Sequence, residues 1–504
     1  MKVSHTFSAE SAIFDDDNLV SHAGLVPVMA VAESTGLASL LGERVDLGTT
    51  QVASAGANLE AKLLTVIAGL CCGADSIDDL GRVRSGGHTR LFDRVYAPAT
   101  IGQTLREFTP GHARQLNAVM TRTLPAMCAT AGLLPTDGSQ VFVDIDSLLR
   151  PVYGYQKEGG SYGHAKIAGR ELLRKGLSPQ VATLSAAGHQ PVIANAWLRA
   201  GRTASGNGAA RMIAETLTTA RRCGASGEIT VRGDAAYGTA AVMRTCQRLA
   251  ATFSLVLRTN TAITRAITAI GDDAWTPVHY PGAVTDPDTG ELISDAEVAE
   301  TTYTVHPDSA QPVTARLIVR RVTAHHPAGT DTLMPAWRYH SFFTNTTDDT
   351  VTADIIHRRH AIIETVFADL IDGPLAHLPS GRFGANAAWL ALTAISHNLK
   401  RPGFVGGSRI CEGWRAWQHH ASTVRNSRTG PPGWHVKRDE IPIRREVRSS
   451  GSPISSESIP RRCAIGFVRP RSTAGSARAP RVRTLTASRR WSGRTVNCGE
   501  RTRS

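Results

Sequence analysis

The chain has 504 residues, of which 41% are apolar and 20% charged, which is enough for about two to four domains around a sizeable core. No apolar run reaches the roughly 18–20 residues of a membrane span. Residues 1–17 turn acidic at Asp15, Asp16 and Asp17 where a secretory signal would be apolar, so a cytoplasmic protein without membrane contact is expected. The formal charge of +13 is not a general nucleic-acid signature, because it is local: residues 401–504 hold 22 Lys and Arg against 6 Asp and Glu, whereas residues 1–400 hold 34 against 37.

The eight cysteines are scattered without C-x-x-C pairs, and adjacent Cys71 and Cys72 in an apolar stretch read as buried thiols. Residues 1–135 read as a helical N-terminal domain suited to DNA contact or dimerisation, with apolar residues at three-to-four spacing in 61–72 and 111–129. Thr100 is a candidate N-cap for a helix through Leu105 and Phe108.

From about 136 the texture becomes that of an α/β domain. Strands are expected at 140–146, 180–184, 190–198, 228–232 and 253–257, with helices at 207–223 and 239–251 between the later ones. A β-rich stretch follows at about 275–345, with strands at 301–305, 313–322 and 337–344. Helices at 352–371 and 385–399 close the domain near 401, and Trp275 and Trp389 read as core residues. Residues 402–504 are rich in Arg, Ser, Gly and Pro with Lys437 as their one lysine; a disordered tail is expected there.

Metal-assisted phosphodiester cleavage needs hard oxygen ligands, and three carboxylates on separate rigid elements suffice. Asp144 and Asp146 alternate with Val143 and Ile145, so both acids share one strand face. Asp234 ends a second strand, on the side where open α/β sheets place ligands. Glu364 lies among Ile362, Ile363, Val366 and Phe367, and a carboxylate in an apolar helical face needs a partner. The histidine pairs His325/His326 and His419/His420 lack further ligands at metal spacing. No P-loop or G-x-G-x-x-G is present, which argues against nucleotide hydrolysis.

Four ordered segments, VDIDSLLRPVYGYQKEGGSYG (143–163), VRGDAAYG (231–238), HRRHAIIETVFADL (357–370) and LPSGRFGANAAWLALTAISHNLKR (378–401), resemble DDE-type insertion-sequence transposases, and in particular the insertion-sequence 1380 family. The resemblance runs from near residue 5 to about 401. It implies a ribonuclease-H-like catalytic core over 136–401, with the β-rich stretch inserted between the second Asp and the Glu. It further implies catalytic roles for Asp146, Asp234 and Glu364, with Asp144 as the alternative first acid and a further candidate metal ligand. Two Mg²⁺ or Mn²⁺ ions, terminal inverted repeats and target DNA as partners, a homodimeric synaptic complex and a nucleoid-associated location are implied too.

Related transposases often carry Y-x₂-R-x₃-E-x₆-K around the glutamate; here His357, His360 and Ile371 stand at the Tyr, Arg and Lys positions. Arg358 or Arg359 is then expected to meet phosphate. Lys157 and Lys166, in a Gly-rich segment after the first strand, are further candidates for DNA contact. The competing readings are a ribonuclease-H-like nuclease that cuts without joining, and a DNA-binding protein or transposase remnant without catalysis. The abrupt change near 401–405 favours a frameshifted ending over a native basic arm.

Overall fold

The computed structural model describes residues 22–85, 92–167, 170–280, 296–323 and 337–402; the histidine pairs at 325–326 and 419–420 and the basic tail lie outside the described residues. The first part of the chain forms α1 (Leu25–Ser34), α2 (Leu37–Arg44), α3 (Ala53–Gly56), α4 (Leu59–Cys71), α5 (Pro98–Arg106) and α6 (Pro110–Ala131). Pro98 and Pro110 sit in the opening turns of α5 and α6, where a missing N–H costs nothing. Thr109 closes α6 reciprocally: its hydroxyl accepts the His112 N–H while the His112 imidazole accepts the Thr109 N–H. Thr100 is not a cap. Pro98 starts the helix earlier, Ala97 is its N-cap, and Thr100 falls inside α5. Cys71 and Cys72 are free thiols, half-buried where full burial was expected. Among the described residues no single helix is long and apolar enough to cross a membrane.

The sheet opens with β1 (Val141–Ser147), β2 (Arg150–Pro151), β3 (Ser161–Ile167), β4 (Arg170–Ser185) and β5 (Val192–Ala200). It continues through α7 (Ala209–Arg222), β6 (Ile229–Gly233), α8 (Ala240–Arg248), β7 (Thr252–Val256) and α9 (Thr261–Thr268). The central order is β5-β4-β1-β6-β7. β4 runs antiparallel to β1 and β5, while β6 and β7 run parallel to β1 and β6 respectively. Every residue of β6 is buried, as a strand covered on both faces requires. The Gly-rich segment after β1 is not a simple loop. β3 pairs with the first half of β4, from Ser161 opposite Gly176 to Ile167 opposite Arg170.

The stretch read as β-rich supplies β8 (Thr276–Val278), β9 (Ala296–Val305), β10 (Val313–Thr323) and β11 (Trp337–Thr344). These strands extend the same sheet, because β11 joins the free edge of β7 and β10, β9 and β8 follow in turn. Trp275 packs against the edge of the main core but is only half-buried, with the Arg321 guanidinium 4.2 Å from its ring centre. The helix expected over 352–371 is two helices, α10 (Thr350–Arg358) and α11 (Ile362–Ile371), separated by a 3₁₀ turn at Arg359–Ala361.

The last helix, α12 (Phe383–Leu399), is buried on all sides and packs against α4, α6 and β5. Such a helix reads apolar all round instead of in a stripe. Trp389 is fully enclosed and donates its indole N–H to Pro374 O at 2.8 Å. Gly384 lets the helix start against the end of α5: a Cβ there would lie 1.9 Å from Phe108 O.

The outer edge of β5 is closed by side-chain amides instead of another strand. Asn398 accepts the Ile193 N–H at 2.8 Å and donates to Ile193 O at 2.7 Å, while Asn117 accepts the Ala196 N–H. An amide thus occupies the place a neighbouring strand would take, which also blunts an edge prone to foreign pairing. Replacing Asn398 by Leu keeps the volume but orphans two buried backbone groups at about 1–3 kcal/mol each. Urea unfolding of Asn398→Leu should show a loss of about 2–4 kcal/mol; a loss below about 0.5 kcal/mol would show that the amide bonds do not matter.

Candidate active site

β1 carries the first acids. Val141, Val143 and Ile145 are buried in the main core, and Asp144 and Asp146 alternate with them. The two acids nevertheless have different fates. Asp144 is 1% exposed and faces Arg232, its neighbour in register on β6. Arg232 donates Nε to Oδ1 at 2.7 Å and Nη2 to Oδ2 at 2.8 Å, and the Ser185 hydroxyl adds a third bond at 3.3 Å. Burial pushes the Asp144 carboxyl up, and the guanidinium opposes this. Two N–H groups converging on both oxygens mark the acceptor as an ionised carboxylate. Arg232 also donates Nη1 to Ile356 O at 2.8 Å, and its guanidinium lies 4.0 Å from the Phe142 ring centre. One side chain therefore ties the first strand, its parallel neighbour and the helix that leads to Glu364. Arg232 and the fully buried Tyr237 are core residues on either side of Asp234.

Asp146 is half-buried, and its Oδ1 accepts the Ser147 N–H at 2.6 Å. The parallel pairing of β1 with β6 ends at Ile145 opposite Gly233, so Asp146 and Asp234 come next on adjacent strand ends. Asp234 is exposed and turns the chain by accepting the Ala236 N–H at 2.9 Å. Both acids thus sit at the carboxyl end of the parallel strands.

Glu364 lies in the first turn of α11, which packs against β1. It is not embedded in the apolar face: Ile363, Val366, Phe367 and Leu370 are buried, while Glu364 is exposed. The buried positions 363, 366, 367 and 370 follow helical spacing within α11, and Glu364 falls outside that stripe despite its apolar neighbours in sequence. Among the described residues no three His, Cys, Asp or Glu side chains are close enough together to hold a metal ion. Asp146, Asp234 and Glu364 are carboxylates, the donor type a hard divalent cation takes, but the structure does not bring all three together.

The residues around the glutamate also differ from expectation. His357 is a core residue. Its ring stacks flat on Phe342 with centroids 4.1 Å apart, and Nδ1 lies 2.8 Å from Ser254 Oγ. Burial, His360 and Arg232 hold it well below the ordinary histidine value. His397 on α12 is depressed in the same way by burial, Arg401 and Lys400, and its Nε2 lies 2.8 Å from Arg401 Nη2. Each is neutral when folded, while the unfolded chain takes up a proton near the ordinary value of 6.5. The stability they contribute is complete above pH 6.5 and is lost as pH falls below it. The expected slope is about 1.4 kcal/mol per pH unit for each histidine. Melting temperatures followed from pH 7.5 downwards should decline more steeply below 6.5, and His357→Gln should flatten that decline; an unchanged profile would rule His357 out as the cause.

Of the DNA-contact candidates, Arg359 and Arg358 are exposed, the latter with its guanidinium 3.8 Å above the Tyr280 ring centre. Lys157 is half-buried and donates to Ser380 O at 3.3 Å. It belongs to a seam that joins the segment after β1 to the segment before α12. Glu158 N–H bonds Gly381 O at 2.9 Å, the Phe383 N–H bonds Glu158 Oε2 at 2.9 Å, and Gly159 packs under Phe383. Gly159 has φ +72°, and a Cβ there would lie 2.6 Å from the Phe383 ring, so only glycine fits. The backbone of Lys166 lies in β3.

Sequence reasoning missed Arg199. Its guanidinium bonds Ser178, Ala204, Ser205 and Asn207, holding the 201–208 turn beside Ser147, whose hydroxyl bonds Ser205. Nothing in the local pattern marks it, since all those partners come from backbone turns or from β4.

Residues 9–401 match the family model described as transposase DDE domain group 1. A search of the curated proteins finds no match.

Proposed function

Because this chain belongs to the transposase DDE domain group 1 family, we propose that it cuts and joins DNA at the ends of an insertion sequence, with Asp146, Asp234 and Glu364 as its catalytic carboxylates. The observation that carries this reading is the meeting of Asp146 and Asp234 at adjacent parallel strand ends, with the helix of Glu364 packed on the first of those strands. The order β5-β4-β1-β6-β7, with three antiparallel strands followed by two parallel ones, supports a ribonuclease-H-like core. β8–β11 are then its insertion between the second Asp and the Glu.

Asp146 takes the role of first acid over Asp144, because both Asp144 oxygens are engaged by Arg232. Asp146, Asp234 and Glu364 would hold two Mg²⁺ or Mn²⁺ ions. When bound, such ions activate water and neutralise charge on the leaving oxygen. The chain's own residues supply the aim. Ser147 N–H and Ala236 N–H orient the two aspartates, and the Asp144–Arg232 pair locks the strands beneath them. Water cuts one phosphodiester and leaves a 3′-hydroxyl, which then displaces a 3′-oxygen in the target strand. One ester is exchanged for another, so no external energy source is consumed. Holding two DNA ends together calls for a dimer. Closer membership, in the insertion-sequence 1380 family, rests on the four segments quoted above.

The test is a plasmid carrying the sequences that flank the gene, incubated with the protein and Mg²⁺. Cleavage at the element's ends with joined products is the expected result. Cleavage without joining would make the protein a nuclease, and DNA binding without either would make it a transposase remnant.

A further inference from the structure

The sheet face beyond α10 carries a concentration of cationic side chains. Pairing of β10 with β11 sets Ile318 opposite Phe342, Arg320 opposite His340 and Val322 opposite Arg338, so these residues share one face. α10 covers the apolar part of that face: Ala353 packs on Ile318 and Phe342, and His357 stacks on Phe342. Past the helix the face is occupied by Arg320, Arg338 and His340, with Arg358 approaching from the end of α10 over Tyr280. Arg338, His340 and Arg358 are exposed and Arg320 is half-buried.

The arginines on β10 divide sharply. Arg316 pairs with Glu300 and Arg321 with Glu297 on the neighbouring strand. Among the described residues no carboxylate lies within ion-pair distance of Arg320, Arg338 or Arg358. The nearby acid, Asp354, is 2% exposed and bonded by the Tyr280 hydroxyl at 2.6 Å; it offsets part of the charge of Arg320 and Arg358 without reaching ion-pair distance of either. Partial burial and the crowding of Arg320, Arg338 and Arg358 hold His340 below its ordinary value. Like charges brought together at a rigid sheet face repel one another, and a multivalent oxyanion relieves that repulsion.

We propose that Arg320, Arg338, His340 and Arg358 form a binding site for a backbone phosphate of DNA, placed beside the helix that leads into Glu364. The proposal rests on the transposase reading for its choice of DNA as the source of the phosphate. The site grips the strand by charge and not by base sequence, because guanidinium forks match phosphate oxygens and no base edge is needed. It positions DNA on the insertion side of the sheet while the strand-end acids act.

The experiment is a salt titration of binding to a short random-sequence duplex, without divalent ions, for the wild type and for Arg338→Gln/Arg358→Gln. Loss of two phosphate contacts should lower the slope of log affinity against log salt by about two. Arg338→Lys/Arg358→Lys should keep most of the slope, and Arg122→Gln on α6 should keep all of it. An unchanged slope in the Gln variant, with unchanged melting temperature, overturns the proposal. Displacement of the duplex by low-millimolar inorganic phosphate at matched ionic strength also overturns it, in favour of a free-phosphate site. If the wild type binds with the expected slope but never cleaves, the catalytic reading fails while this site stands.

Discussion

Asp146→Asn, Asp234→Asn and Glu364→Gln should each lower DNA cleavage by about a thousandfold or more while leaving duplex binding intact. A carboxylate that holds a catalytic divalent ion contributes several kcal/mol to the transition state. About 4 kcal/mol corresponds to a factor of a thousand. Asp234 and Glu364 are exposed and Asp146 half-buried, so the folded state should hardly register these changes, with stability shifts of about 0.5 kcal/mol. Cleavage of a labelled element end in Mg²⁺, together with thermal melting, separates the two effects. Retention of more than a tenth of wild-type cleavage by any of the three would remove that residue from the catalytic set.

The neighbouring acid should behave in the opposite way. Arg232→Met strands the Asp144 carboxylate in the interior, and Asp144→Leu strands the guanidinium, each at about 3–5 kcal/mol. The double variant replaces a buried ion pair by apolar groups of similar volume, which is often close to neutral. It still leaves Ile356 O without the Arg232 N–H, a residual cost of about 1–3 kcal/mol. The double variant should therefore be more stable than either single one, a strong departure from additivity. Urea unfolding of the four proteins measures it. Additive losses would mean that the two side chains do not depend on one another, and the assignment of Asp144 to a structural role would then fail.

Much of the central architecture was legible from local patterns. Alternation over 141–147, the buried run at 229–233 and the 3.6-residue period over 209–222 located β1, β6 and α7 to within a few residues, because period and burial are properties of one element and its own core. The segment after β1 was harder. Its glycines read as a loop, yet Gly159 packs under Phe383, more than 200 residues on, and Gly163 lies in a strand that forms a hairpin with β4 and meets Gly201.

Placing two carboxylates on one face of β1, and a third on a helix more than 200 residues later, follows from the order of amino acids alone. So do the family and the chemistry it implies. Which of the two β1 acids is held in a buried ion pair was decided only in three dimensions, by an arginine 88 positions away that register brings opposite Asp144. Glu364 has apolar linear neighbours, yet α11 buries Ile363, Val366, Phe367 and Leu370 and leaves the glutamate exposed. Periodicity reports which face of an element is buried; the partner waiting on that face depends on strand register and helix phase, which are set by packing across the whole sheet.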